Sequence, residues 1–143
     1  MNAKGAIIVI EDDEDDQFFF QEIFTSLNYS DKVLYLSSGE EALEYLKTNE
    51  APFLILSDVN IPRLNGLELK KTINDDPVLR IKCIPFIFFS TAADKKMVTD
   101  IFLLAAQGFF VKKASFNEMS DTLRAIIEYW KVCAVPNRFL HFQ

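Results

Sequence analysis

The sequence predicts a single α/β domain in which a parallel sheet is covered by helices on both faces. Short apolar runs, rich in β-branched and aromatic residues, alternate along the chain with longer amphipathic stretches. Runs of this kind are typical of strands buried on both faces. Their alternation with helices favours right-handed crossovers and a doubly wound sheet. The chain has 143 residues, half of them hydrophobic, which suits one domain of this kind.

Five apolar runs are predicted to form the strands. The first, Ala6–Ile10, reads AIIVI and stops where a run of six acids begins. The second and third are Val33–Leu36 (VLYL) and Phe53–Leu56 (FLIL). The fourth and fifth are Ile84–Phe89 (IPFIFF) and Phe109–Val111 (FFV). Each run is too short for a helix of ordinary length, so a strand is the better prediction.

Five longer stretches carry apolar residues three or four positions apart and are predicted to form helices. The stretches are Gln17–Leu27, Gly39–Leu46, Gly66–Ile73, Ala93–Ala106 and Ser115–Val132. Ser38 precedes the second helix and Ser115 opens the fifth, each with a glutamate three positions later. This spacing is typical of a capping box at a helix start.

Composition excludes several classes of function. The net charge of −6 argues against nucleic-acid binding, which requires a basic surface. No apolar stretch approaches the roughly 18 residues of a membrane span, and the N-terminus does not have the pattern of a signal peptide. Cys83 and Cys133 show no metal-binding or disulfide spacing. We therefore expect reduced thiols in a cytoplasmic protein.

Polar residues with complementary chemistry follow four of the predicted strands. Because ligands of such sheets bind at the carboxyl ends of the strands, we expect these residues to lie close together. Taken singly, each residue could equally be a helix cap or a solvated charge, but their joint occurrence favours a site. The acids Glu11, Asp12 and Asp13 follow the first strand, Asp58 the third, Ser90 and Thr91 the fourth, and Lys112 and Lys113 the fifth.

This set of groups suits phosphoryl transfer. Carboxylates gathered in one cleft repel each other unless a cation is present, and Mg²⁺ prefers such oxygen ligands. A carboxylate can act as the nucleophile and form an aspartyl phosphate. A hydroxyl and a lysine can then bind the phosphoryl oxygens, since positioning and charge neutralisation provide most of the catalysis.

At these positions the sequence resembles the receiver domain of bacterial two-component response regulators. The resemblance extends over about residues 6–132 and includes the stretch DVNIPRLNG after the third strand. It implies a flavodoxin-like fold with strand order 2-1-3-4-5. It also implies that Glu11 and Asp12 hold Mg²⁺, that Asp58 is the phosphoacceptor and that Asn60 offers its backbone carbonyl to the metal. The rest of the acidic run, from Asp13 to Asp16, is predicted to cap the first helix and form its first turn.

The resemblance also assigns the residues that would respond to phosphorylation. Lys112 matches the lysine that pairs with the phosphoryl group, and Phe109 matches an aromatic switch. Ser90 matches the switch hydroxyl by spacing, with Thr91 as the alternative. Lys113 stands where the family usually has proline after a cis peptide bond, so the Lys112–Lys113 bond is left open as cis or trans.

The resemblance implies a signalling protein and not an enzyme. A sensor histidine kinase or phosphotransfer protein would phosphorylate Asp58, and the face of helix 4, strand 5 and helix 5 would then change to control a downstream protein. We expect residues 1–143 to be one stand-alone, chemotaxis-regulator-like domain with a tail at 133–143 and no output domain. The tail resembles phytochrome-associated response regulators, some of which form homodimers. A tail packed on its own domain is the alternative, and His141 is assigned no role.

Three other functions agree less well with the sequence. A phosphatase of the haloacid dehalogenase type would need its nucleophile on the first strand and a second Asp two residues later, whereas Asp58 is on the third and position 60 is Asn. A flavodoxin-like cofactor protein would need a phosphate-binding loop after the first strand, where the acids would repel the phosphate. A receiver fold that is never phosphorylated and only binds proteins is the main alternative. Such a protein has usually lost the phosphoacceptor aspartate, the lysine or the acidic pair. All of these residues are present in this sequence.

Overall fold

The computed structural model describes residues 5–138 and contains one five-stranded, all-parallel sheet. The strand order is β2-β1-β3-β4-β5, which confirms the predicted flavodoxin-like topology. The strands are β1 (Ile7–Ile10), β2 (Val33–Leu36), β3 (Leu54–Asp58), β4 (Phe86–Ser90) and β5 (Gly108–Val111). Strand β3 extends to Asp58 and β4 to Ser90, so two polar residues predicted to follow strands are in fact their last residues.

All five predicted helices are present, and the described residues contain one further short α-helix. The helices are α1 (Glu14–Ser26), α2 (Gly39–Thr48), α3 (Gly66–Asp75), α4 (Pro77–Arg80), α5 (Lys95–Leu103) and α6 (Phe116–Val132). The prediction missed α4. Asp76 starts it by accepting hydrogen bonds from the backbone N–H groups of Val78 and Leu79, and Pro77 suits the first helical position.

The helices form two layers, one on each face of the sheet. Along β1, Ile8 and Ile10 pack in a core with α2, α3 and α5, whereas Ile7 and Val9 pack in a second core with α1 and α6. Successive residues of a strand point to opposite faces, so a strand buried on both sides must be apolar throughout. This explains why the strands were recognisable as uninterrupted apolar runs.

The start of α1 matches the prediction for the acidic run. Asp13 caps the helix, and its Oδ1 accepts a hydrogen bond of 2.9 Å from the backbone N–H of Asp16. Glu14, Asp15 and Asp16 form the first turn. Their negative charge lies at the positive end of the helix dipole. The helix therefore begins three residues earlier than the apolar spacing alone indicated.

The described part of the tail contacts its own domain. Val135 is buried, and the side-chain amide of Asn137 donates a 2.7 Å hydrogen bond to the carbonyl of Lys82. This contact agrees with the alternative of a packed tail. The last five residues of the predicted tail, His141 among them, lie outside the described residues. Among residues 5–138, no helix has the length and apolarity needed to cross a membrane.

Candidate functional site

The ammonium group of Lys112 lies at the centre of the candidate site. Its Nζ donates hydrogen bonds to Glu11 Oε1 at 2.5 Å, Asp16 Oδ2 at 2.9 Å and Asp58 Oδ2 at 2.9 Å. Only 12% of the Lys112 side chain is exposed. Three carboxylates and one cation thus form a compact cluster at the carboxyl edge of the sheet.

The ends of the parallel strands bring these groups together. The backbone N–H of Glu11 donates to the carbonyl of Leu36 at 2.9 Å, which continues the pairing of β1 and β2 by one residue. The N–H of Lys112 donates to the Ser90 carbonyl at 2.7 Å and continues the pairing of β4 and β5 in the same way. Backbone hydrogen bonds therefore fix where both side chains leave the sheet.

Burial and charge together set the protonation of the cluster. Burial raises the pKa of Glu11 to about 7, with the hydrogen bond from Lys112 opposing the shift and the Asp58 charge adding to it. Burial lowers the pKa of Lys112, but its hydrogen bonds to the three carboxylates outweigh this and leave that pKa above its ordinary value. Lys112 therefore stays charged, and the pKa of Glu11 lies above its ordinary value.

Both carboxylate oxygens of Asp58 accept hydrogen bonds. Oδ2 faces Lys112, and Oδ1 accepts a 3.0 Å hydrogen bond from the backbone N–H of Asn60. The loop after β3 returns closely over the strand, because the N–H of Gly66 donates to the Val59 carbonyl at 3.0 Å. A Cβ atom on Gly66 would lie 2.8 Å from the Asp58 carbonyl oxygen, so glycine is required for this approach.

The predicted switch residues are arranged along β4 and β5. Ser90 is buried at the end of β4, and its Oγ accepts a 3.4 Å hydrogen bond from the backbone N–H of Ala92. Phe109 is half-buried on β5, where it pairs with Phe88. Thr91 is exposed and lines a cavity of about 340 Å³ that also contacts Asp16 and Lys112. Ser90 is thus enclosed, whereas Thr91 faces the solvent.

One predicted metal ligand lies apart from the cluster, and one acid that was not predicted as a ligand joins it. Asp12 is exposed and is not among the carboxylates that lie within reach of one another. Asp16, predicted only as part of the first helical turn, contacts Lys112 directly. Asp16 lies in the first turn of α1, five residues after Glu11. The peptide bond between Lys112 and Lys113 is trans, as are all those in residues 5–138.

The donor atoms of the cluster suit a hard divalent cation. Carboxylate oxygens of Glu11, Asp16 and Asp58 lie within 4.8 Å of one another, and all are hard ligands. Mg²⁺ is usually held in proteins by one or two carboxylates together with water and phosphate oxygens. The residues present therefore fit the ion that the sequence predicts at this edge of the sheet.

A comparison with known families decides the classification. The family model described as the response regulator receiver domain matches residues 7–124. The chain belongs to this family. As in the sequence prediction, the receiver domain accounts for nearly all of the described secondary structure, from β1 into α6.

Similar proteins include regulators that this chain matches over most of their length. The chemotaxis protein CheY1 of Helicobacter pylori is 27% identical over 121 residues, which are 85% of this chain and 95% of that protein. The response regulator Rcp1 of Synechocystis sp. is 24% identical, with 90% of each chain covered. The crystal structure of the phosphorylated cyanobacterial phytochrome response regulator RcpA matches with a TM-score of 0.81 and 26% identity. That match covers 94% of this chain and 99% of RcpA.

Proposed function

We propose that this receiver domain accepts a phosphoryl group on Asp58 from a sensor histidine kinase or phosphotransfer protein, in a reaction that depends on Mg²⁺. The observation that carries the proposal is the ion pair between Asp58 and Lys112, with Nζ and Oδ2 2.9 Å apart at the carboxyl edge of the sheet. The RcpA structure, which is described as phosphorylated, supports it by similarity.

The proposed chemistry is a phosphoryl transfer to a carboxylate. An oxygen of Asp58 forms a new bond to phosphorus, while the bond between phosphorus and the donor nitrogen breaks and its electron pair leaves with the donor. Asp58 has only 13% of its side chain exposed, so the approach is restricted to the open edge of the cluster. Lys112 contributes a fixed positive charge next to the oxygens that become more negative.

The residues proposed to hold Mg²⁺ are Glu11, Asp12, Asp58 and the backbone carbonyl of Asn60. When bound, Mg²⁺ would supply positive charge to the phosphoryl oxygens. The hard oxygen donors at Glu11 and Asp58 support this assignment, and the resemblance to the family supplies the other two. In the structure, Lys112 binds the Glu11 and Asp58 carboxylates and so holds these two proposed ligands close together.

The proposed output is a change in the face formed by α5, β5 and α6, which is the predicted face of helix 4, strand 5 and helix 5. Ser90 would turn toward the phosphoryl group, with Thr91 as the alternative hydroxyl, and Phe109 would follow. In support, Ser90 and Phe88 lie on the same face of β4 because they are two residues apart, and Phe88 pairs with Phe109. The altered face would then control binding to a downstream protein.

The same proposal describes a signalling protein and not an enzyme, without nucleic-acid or membrane partners. The cytoplasmic location, the homodimer and the single domain over residues 1–143 stay predictions. The acidic net charge of −6 supports the absence of a nucleic-acid partner. The similarity to regulators such as CheY1 supports the signalling role.

The test is phosphorylation by a small donor. The protein is incubated with acetyl phosphate and Mg²⁺, and its intact mass is measured beside the Asp58→Asn and Asp75→Asn variants. We expect one added phosphoryl group in the wild type and in Asp75→Asn, whose substitution lies at the exposed end of α3. We expect none in Asp58→Asn or without Mg²⁺. Equal labelling of all three proteins, or of none, would contradict the proposal, and the latter would leave the unphosphorylated interaction module.

A further inference from the structure

The hydrogen-bonding capacity of Lys112 is fully used in the structure. A lysine ammonium has three N–H donors and no acceptor. Its three bonds to Glu11, Asp16 and Asp58 account for all three donors. A phosphoryl oxygen on Asp58 can therefore bind Lys112 only if one of these bonds is given up. This inference rests on the function proposed above.

The three carboxylates differ in what it costs to release them. The Glu11 side chain is only 2% exposed, and water cannot readily replace Lys112 as its partner. Asp58 is the residue to which the phosphoryl group becomes attached, so Lys112 has to stay next to Asp58 in order to bind that group. The Asp16 side chain is 40% exposed, so water can hydrate its carboxylate as soon as the contact breaks. Asp16 is thus the carboxylate that leaves at the lowest cost.

We propose that Asp16 is a positioning residue that occupies the phosphoryl-binding donor of Lys112 in the unphosphorylated protein and is displaced when Asp58 is phosphorylated. The Asp16 oxygen lies 2.9 Å from Nζ, the same distance as the Asp58 oxygen. Its negative charge also repels an incoming phosphoryl group. Asp16 therefore favours the unphosphorylated arrangement of the site and competes with the phosphoryl group for Lys112.

Removal of this competition is expected to strengthen binding of a phosphoryl mimic. Beryllofluoride is titrated by calorimetry in saturating Mg²⁺ into the wild type and the Asp16→Asn, Asp16→Glu and Asp15→Asn variants. We expect the dissociation constant of Asp16→Asn to fall about two- to fivefold, as for the loss of one partly exposed ion pair. Asp16→Glu keeps the charge and should stay nearer the wild type. Asp15→Asn is the matched control, since Asp15 is an exposed acid of the same helical turn.

A second measurement reports on Lys112 itself. The ¹⁵N signal of the Lys112 ammonium should shift and exchange faster with water in Asp16→Asn, because one of its three acceptors loses its charge, and should be unchanged in Asp15→Asn. Unchanged or weaker beryllofluoride binding in Asp16→Asn, with normal binding by the wild type, would overturn the role of Asp16 alone. Absence of binding in every protein would overturn the phosphoryl-acceptor function as well.

Discussion

Replacement of Lys112 by methionine tests how much the site depends on its single central cation. The substitution keeps the unbranched, apolar stem of the side chain but removes the ammonium group from a cluster of three carboxylates. Glu11, with 2% of its side chain exposed, then loses its cationic partner. Breaking a buried ion pair from one side typically costs about 3–5 kcal/mol. Glu11 keeps a 3.2 Å hydrogen bond from the backbone N–H of Asp13 and can bind a proton, so we expect the lower end, about 3 kcal/mol.

The assay is urea unfolding at pH 8 with a chelator to remove divalent ions. The matched control is Lys113→Met, which removes an exposed charge from the next residue and should leave the midpoint nearly unchanged. Adding Glu11→Gln to Lys112→Met removes the orphaned charge and should recover at least about 1 kcal/mol. If Lys112→Met stays within about 0.5 kcal/mol of the wild type, the cluster is not a buried ion-pair network and this reasoning is refuted.

Two further predictions concern the scaffold around the site. Gly66→Ala should lower the free energy of unfolding by about 2 kcal/mol, since the new Cβ would lie 2.7 Å from Phe88 Cε1; an unchanged urea midpoint would contradict this. Burial raises the pKa of Tyr35 to about 12, above its value of about 10 in the unfolded chain. The resulting stabilisation is complete below pH 10 and is lost as pH rises toward 12. In urea unfolding at rising pH, the wild type should therefore lose more stability than Tyr35→Phe, and parallel losses would show that Tyr35 plays no part.

The positions of the strand-end residues could be predicted because they follow from the parallel sheet itself. Asp58 and Lys112 end or follow apolar runs that can only be buried strands, and parallel strands bring such ends to one edge. The structure confirms the sheet and places these two side chains in contact. Their functional roles depend on similarity and on the proposed phosphorylation, not on the fold.

The contact of Asp16 could not be predicted from the strand pattern, because it depends on the direction in which α1 leaves β1. The acidic run offered six carboxylates of similar sequence character, and helix capping accounted equally well for most of them. Asp13 does cap the helix, which fixes the first turn and turns Asp16 back toward the sheet edge. Selecting one acid from such a run requires knowing which residue of the first turn faces the sheet edge, and the acidic run alone does not show this.

The pairing of β4 with β5 limits how a signal could leave the site. The pairs Phe88 with Phe109 and Ser90 with Val111 are fixed by backbone hydrogen bonds, and a slip by one residue would turn every buried side chain to the opposite face. The N–H of Lys112 adds a 2.7 Å bond to the Ser90 carbonyl at the end of this ladder. Sliding of the strands is therefore too costly to serve as the switch. Rotation of the Ser90 and Phe109 side chains leaves the ladder intact, so the proposed output requires side-chain movement on a fixed sheet.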